Sequence, residues 1–381
     1  MTQFWRYDAG EAFTRLREMP NGSVHCIVTS PPYFRQRDNG IAEQVGMEDY
    51  PAAFVDRVCG ILDEAMRVLH PQGTLWLNIG DTYADRANGR RATSSKRSRG
   101  RSQHHTQPAK TNTIGGAWDL KYRDLMLVPF HLAIELRRRG WYVRRDIIWE
   151  NPSVQAEGNV NNRPHRSHEY LFLLTRQPTG YFFDRVIGRE NHLDDGDPEL
   201  GYGHAPRSVW SIPGQPFRGN AAGNHSSPMP YELARRAIAM GCPAHVCASC
   251  GAPHHRRVET SRQRADGTAV TGAWSGDGGL RQAGATGSAH DERTIIRTVG
   301  WSPDCDCADA STSPGVVLDP FAGAATSALA ALEQDRSFVG FDLDPEAVDV
   351  GRQRIFERLG PIARILDRSL VADSGDMQRV A

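Results

Sequence analysis

Segments that read as buried strands alternate along this chain with segments whose apolar residues recur at helical spacing, and this alternation limits the fold more than any other feature. "HCIVTS" is strand-like, and "EDYPAAFVDRVCGILDEAMRVL" then repeats apolar residues every three or four positions, with acids early and Arg67 late. "GTLWLNIGD" is strand-like again, "DLMLVPFHLAIELRRRG" is a helix closed by Gly140, and "WYVRRDIIWE" and "EYLFLLTR" are further strands. Strands separated by helices of this length predict an α/β fold with a doubly wound, mostly parallel sheet. The pattern returns near the C-terminus in "GVVLDPFAGAATSALAALEQDRSFVGFDLDPEAVDVGRQRIFERL".

Two stretches break the alternation. Residues 86–118 carry eight Lys or Arg and no acid, among them Arg90, Arg91, Lys96, Arg97, Arg99 and Arg101. Residues 251–314 are dominated by Gly, Ala, Ser and Arg. Neither composition buries enough apolar surface to fold alone, so both are expected to be mobile loops or to depend on a ligand. Across the whole chain Lys+Arg and Asp+Glu balance at 45 each, so any polyanion site must come from local segregation of charge such as the basic loop. No apolar run approaches the ~20 residues that span a bilayer, and the N-terminus lacks a signal pattern, which predicts a soluble intracellular protein.

Four of the seven cysteines fall in tight pairs, Cys247 with Cys250 in "CASCG" and Cys305 with Cys307 in "DCDC". Four thiolates suit a closed tetrahedral structural zinc site. His245, His254 or His255 could replace a ligand, and the plain alternative is four reduced thiols on a surface loop. Cys26 and Cys59 lie in apolar segments and read as small core residues, while Cys242 falls outside the cluster.

In "VVLDPFAGAATSALAAL" an apolar strand ends in an acid and a small-residue turn before an Ala-rich helix, and Asp342 in "FVGFDLD" follows about twenty residues later. That is the layout of a nucleotide-type site, in which backbone approaches the ligand and the second acid takes ribose hydroxyls. An ordinary βαβ unit would look similar, and Ala325 stands where a second glycine is expected. "VHCIVTSPPY" raises a parallel choice. Its two prolines stop a core strand, and they also stiffen a carbonyl that has no neighbouring N–H to compete with it.

Taken together, "TSPPY" and "DPFAGAAT" resemble the DNA amino-methyltransferases that use S-adenosylmethionine, in the permuted order of the beta class, with the tetrapeptide ahead of the cofactor turn. "YDAGEAFTRLREMPNGSVHCIVTSPPY", "GWYVRRDIIWENP", "RPHRSHEYLFLLTR", "RSVWSIP" and "HSSPMPYELARRAI" are similar to further blocks of that family. The resemblance implies a seven-stranded, circularly permuted methyltransferase sheet. Residues 1–240 would be its catalytic part (basic DNA-contact loop about 84–118), 241–314 a Cys-rich insert and candidate target-recognition element, and 315–381 its cofactor-binding part. It implies Ser30, Pro31, Pro32 and Tyr33 as catalytic, the Ser30 side chain and Pro31 carbonyl accepting amine hydrogens while Tyr33 stacks on a flipped base. Asp8, Thr29, His225, Pro230, Asp319, Phe321, Gly323, Thr326 and Asp342 would bind the cofactor.

Serine at the head of the tetrapeptide goes mostly with cytosine N4 in that family, which makes N4 methylation the expectation and N6-adenine the alternative. A second alternative is a catalytically decayed zinc-containing DNA-binding protein, and a third keeps the enzyme with RNA or a protein as substrate. Methylation at cytosine carbon 5 is excluded, since its cysteine nucleophile typically follows a proline and no Pro-Cys dipeptide occurs. The implied partners are duplex DNA, with a homodimer and a cognate restriction enzyme left open, in the cytoplasm of a bacterial or phage-infected cell.

Overall fold

The computed structural model describes residues 2–36, 38, 40–84, 118–154, 162–187, 200–201, 206–214, 228–264, 292–308 and 311–369. The expectations for Arg90, Arg91, Lys96, Arg97, Arg99, Arg101 and His225 fall outside these residues. Among the described residues no helix is long and apolar enough to cross a membrane.

Eight strands form the main sheet: β1 (Trp5–Ala9), β2 (Val24–Thr29), β3 (Leu69–Ile79), β4 (Tyr142–Glu150), β5 (His168–Thr175), β7 (Val209–Ser211), β12 (Val316–Asp319) and β13 (Ser337–Asp342). Their spatial order is β1-β13-β12-β2-β3-β5-β4-β7, and β5 alone runs antiparallel to its neighbours. The sheet has eight strands rather than seven, the extra one being the three-residue β7 at the edge. The two C-terminal strands insert between β1 and β2, with Val317 opposite Cys26 and Leu318 opposite Ile27, so the ends of the chain build the middle of the sheet together.

Both faces are covered, which is why the central strands read as continuous apolar runs. Ile27, Leu75, Leu77 and Leu318 point into a core closed by α1 (Ala12–Arg17), α2 (Pro51–Val68) and α3 (Val128–Arg138). Their neighbours Cys26, Val28, Trp76 and Val317 point the other way. There they meet α4 (Tyr231–Gly241), α5 (Thr326–Leu332) and α6 (Pro345–Leu359). A seventh helix, α7 (Pro361–Leu366), ends at Asp367, which bridges back to Trp5. Proline stands in the first turn of α2, α3, α6 and α7, where its missing N–H costs nothing.

The insert is more ordered than its composition predicts. β9 (His254–Arg264) and β10 (Glu292–Pro303) form a long antiparallel ribbon with a bulge between Thr298 and Gly300, and the short β6 (Leu200–Gly201) pairs with β10. Near its base Arg256 donates to Asp184 at 2.7 Å and to Thr298 at 2.8 Å, and lies 4.6 Å over the Trp301 ring. Two-residue strands β8 (Val246–Cys247) and β11 (Thr312–Ser313) close the base.

Candidate active site

The C-terminal ends of β2, β12 and β13 open onto one cavity of about 340 Å³. Ser30, Pro31, Pro32 and Tyr33 line one side, and Asp319, Phe321, Gly323, Thr326 and Asp342 line the other. A crevice at the carboxyl ends of parallel strands is where open α/β sheets bind ligands.

On the β12 side, Asp319 is a buried hub. Its carboxylate accepts from Thr29 Oγ1 at 2.7 Å, Ser327 Oγ at 2.6 Å and the Phe321 N–H at 3.1 Å. Thr29 does not line the cavity itself but ties β2 to the turn through this bond. Burial, reinforced by the nearby Asp342 carboxylate, pushes the Asp319 carboxyl up to about 6. Asp342 sits at the end of β13, its two oxygens accepting from the N–H groups of Gly323 (2.9 Å) and Asp344 (3.0 Å).

Between them the turn places Gly323 and Ala325 in the left-handed region, at φ 48° and 58°. Ala325 therefore adopts the conformation a glycine would supply, at a cost of roughly 1–2 kcal/mol. Room for its methyl comes from Gly351 in α6, where a Cβ would lie 2.9 Å from the Ala325 Cβ and 2.5 Å from the Tyr7 ring. The Tyr7 hydroxyl in turn donates to the Gly323 carbonyl at 2.6 Å.

On the β2 side, the Tyr33 hydroxyl donates to Glu169 Oε2 at 2.5 Å and stands 3.3 Å from Asn78 Oδ1 and 3.5 Å from Ser30 Oγ. Asn78 Nδ2 donates to the same Glu169 oxygen at 3.1 Å and to the Tyr170 carbonyl at 3.3 Å. Burial raises the Glu169 carboxyl above the ordinary carboxylate range and, with Glu169 beside it, holds the Tyr33 phenol well above 10. Gly80 makes the ring's position available: a Cβ there would fall 2.6 Å from Tyr33 Cε2.

Asp8 and Pro230, like Thr29, do not line the cavity themselves. Asp8 is held by Arg6 and, at 3.6 Å, by Arg352, whereas Glu11, three residues on, lines the cavity. Pro230 caps the start of α4, and the lining from this segment comes from Pro228 and Met229. Glu169 and Asn78 went unnamed in the sequence, although an acid opening the apolar strand "HEYLFLLT" was a usable signal.

The four paired cysteines converge away from this cavity. One sulfur from each of Cys247, Cys250, Cys305 and Cys307 lies within 4.8 Å of all the others. The N–H groups of Cys250 and Ser249 hold the Cys247 thiol down at about 7, while the crowded sulfurs of Cys250, Cys247 and Cys305 push Cys307 up to about 12. The Cys247–Gly251 turn touches the main sheet through His25 of β2. Its Nε2 lies 3.1 Å from the Gly251 carbonyl, and its Nδ1 accepts the Val316 N–H of β12 at 3.0 Å.

A doubly wound sheet carrying a glycine turn and an acid across from Ser-Pro-Pro-Tyr is the architecture of an amino-methyltransferase. The chain belongs to the DNA methylase family of N6 and N4 enzymes, whose sequence profile matches residues 24–245 and 307–353. It is 33% identical to the Type II methyltransferase M.Cfr9I of Citrobacter freundii, over 91% of this chain and 86% of that one. It is 34% identical to M.XycI of Xanthomonas campestris pv. cyanopsidis, over 93% and 89%. The cytosine-N4-specific PvuII DNA methyltransferase shares the fold, with a TM-score of 0.54 over 93% of this chain and 87% of that structure at 14% identity. The protein is thus an S-adenosylmethionine-dependent DNA amino-methyltransferase.

Proposed function

We propose that this enzyme methylates the exocyclic N4 of cytosine in duplex DNA, with the target base flipped out of the stack into the cavity. The observation that carries the proposal is the meeting of Ser30 and Tyr33 with Asp319 and Asp342 around one cavity. An exocyclic amine is a poor nucleophile because its lone pair is delocalised into the ring. Acceptors that hold its hydrogens favour a tetrahedral nitrogen, and here the Ser30 side chain and the Pro31 carbonyl are assigned that work. Tyr33 is assigned to stack on the base. Flipping costs a few kcal/mol, and alignment and fixed dipoles supply most of the rate without a covalent enzyme intermediate. A neutral serine suits either amine, and the choice of cytosine over adenine rests on the family resemblance, in which serine at the head of the tetrapeptide goes mostly with cytosine N4.

The cofactor supplies an electrophilic methyl group on sulfur. The residues fit it: the Asp342 carboxylate lines the cavity at the end of its strand, where ribose hydroxyls would reach it, and the small residues of the turn let backbone approach. Phe321 and Thr326 line the same wall.

We further assign Cys247, Cys250, Cys305 and Cys307 as ligands of a structural zinc. Zinc–sulfur bonds of about 2.3 Å put tetrahedral sulfurs about 3.8 Å apart, close to the observed cluster. Residues 1–240 and 315–381 then form the methyltransferase body and 241–314 a stapled ribbon, a candidate for target recognition. A cognate restriction enzyme, in keeping with the Type II designation of the relatives, and the bacterial cytoplasm complete the proposal.

The test is mass spectrometry of nucleosides from the DNA of cells expressing the protein. N4-methylcytosine is expected, and N6-methyladenine in its place would overturn the choice of base.

A further inference from the structure

The hydroxyl of a serine both donates and accepts, so Ser30 is suited to hold an amine hydrogen only if its own hydrogen points elsewhere. The structure contains the group that decides this. Glu169 Oε2 accepts from the Tyr33 hydroxyl at 2.5 Å and from Asn78 Nδ2 at 3.1 Å. A carboxylate has no hydrogen to give, so Tyr33 must direct its single hydrogen at Glu169. With Nδ2 engaged by Glu169 and the Tyr170 carbonyl, Asn78 turns Oδ1 toward the phenol at 3.3 Å, another acceptor. The Tyr33 oxygen is left to accept, taking the Gly80 N–H and, through its other lone pair, the Ser30 hydroxyl 3.5 Å away.

We propose that Glu169 is a positioning residue that sets the direction of the chain Ser30 → Tyr33 → Glu169, so that Ser30 presents lone pairs to the target amine. The inference rests on the assignment of Ser30 as an amine acceptor, and it holds for an amine on either cytosine or adenine. The chain is polarised from its far end. Nothing in the Ser-Pro-Pro-Tyr segment fixes the direction by itself.

Protonation of Glu169 would place a hydrogen at the terminus of the chain and allow it to reverse. The groups that bear on that titration are Tyr33 and Asn78 across the strands, with Arg166 and His168 from its own segment. Asp319, on the opposite wall, also titrates in the acid range, so rates are to be measured with cofactor saturating.

The experiment compares wild type, E169Q, E169L and Y33F. It follows single-turnover methylation of plasmid DNA from an unmodified host between pH 5 and 8.5, with S-adenosylmethionine affinity measured by calorimetry. A ¹³C titration of the Glu169 carboxyl, assigned by its loss in E169Q, gives a readout free of turnover and is expected above the ordinary carboxylate range. The wild-type rate is expected to fall as pH drops through that titration. The E169Q amide still accepts from Tyr33, so it should lose less than tenfold at pH 8 and lose this acid limb. E169L and Y33F should each lose about 10–100-fold, the worth of a charge-assisted hydrogen bond, with cofactor affinity within about twofold of wild type. E169L or Y33F at the wild-type rate, or an unchanged acid limb in E169Q, would overturn the proposal. E169Q as slow as E169L would overturn it too, pointing to a proton acceptor instead. Wild type yielding N6-methyladenine overturns the choice of base and leaves the role of Glu169 standing.

Discussion

Replacing Asp319 with asparagine should make the protein more stable and a worse enzyme. The Asp319 carboxylate is 3% exposed and meets three donors, yet burial and the neighbouring Asp342 still hold it at about 6. A rise from the ordinary 3.8 to about 6 corresponds to about 3 kcal/mol of lost stability at neutral pH, at about 1.36 kcal/mol per pH unit. The folded protein takes up this proton more readily than the unfolded chain. The penalty is therefore complete above pH 6 and fades as pH falls toward 3.8. D319N removes the charge and keeps the shape, but an amide matches the Ser327 and Thr29 hydroxyls less well. The expected gain at pH 7.5 is thus about 1–3 kcal/mol. Urea unfolding of both proteins without cofactor, at pH 7.5, 6 and 5, measures it. The gap should narrow below pH 6, and acid effects shared by the two proteins cancel in the difference. A D319N protein less stable than wild type at pH 7.5, or a gap that ignores pH, would refute the reasoning. Such a gain is what an active site sacrifices when it keeps a charge where charge is unwelcome.

His25 should act in the opposite direction. Burial and the neighbouring His70 lower it to about 3, so the unfolded chain protonates first and stability should fall between pH 6.5 and 3. H25F strands the Val316 N–H and the Gly251 carbonyl and should cost about 2–4 kcal/mol in urea unfolding at pH 7.5. G80A puts a methyl 2.6 Å from the Tyr33 ring, so the methylation rate should drop about 10–100-fold with cofactor affinity nearly unchanged in calorimetry. Metal analysis should find one zinc per chain, and C250S or a strong chelator should open the strands β9 and β10 to limited proteolysis while the main sheet persists.

Period and punctuation in the sequence were enough to determine the doubly wound sheet, the strand stop at Ser30 and the acid-turn-helix at Asp319, because these depend on neighbours along the chain. The permuted order of the two motifs was legible as well. The ribbon was not: its strands, His254–Arg264 and Glu292–Pro303, find their partners about thirty to fifty residues away across a Gly-rich interval, and composition averaged over the whole insert hides them. Ala325 looked like a defect in the turn until Gly351, distant in sequence, proved to hold the space for its methyl. The partner of Tyr33 was beyond local pattern for the same reason. Glu169 lies 136 residues from Tyr33, and only the lateral order β2-β3-β5 brings that carboxylate beneath the phenol. Residue types and their spacing determined which chemistry the chain carries. Pairing across the sheet decided which group faces which.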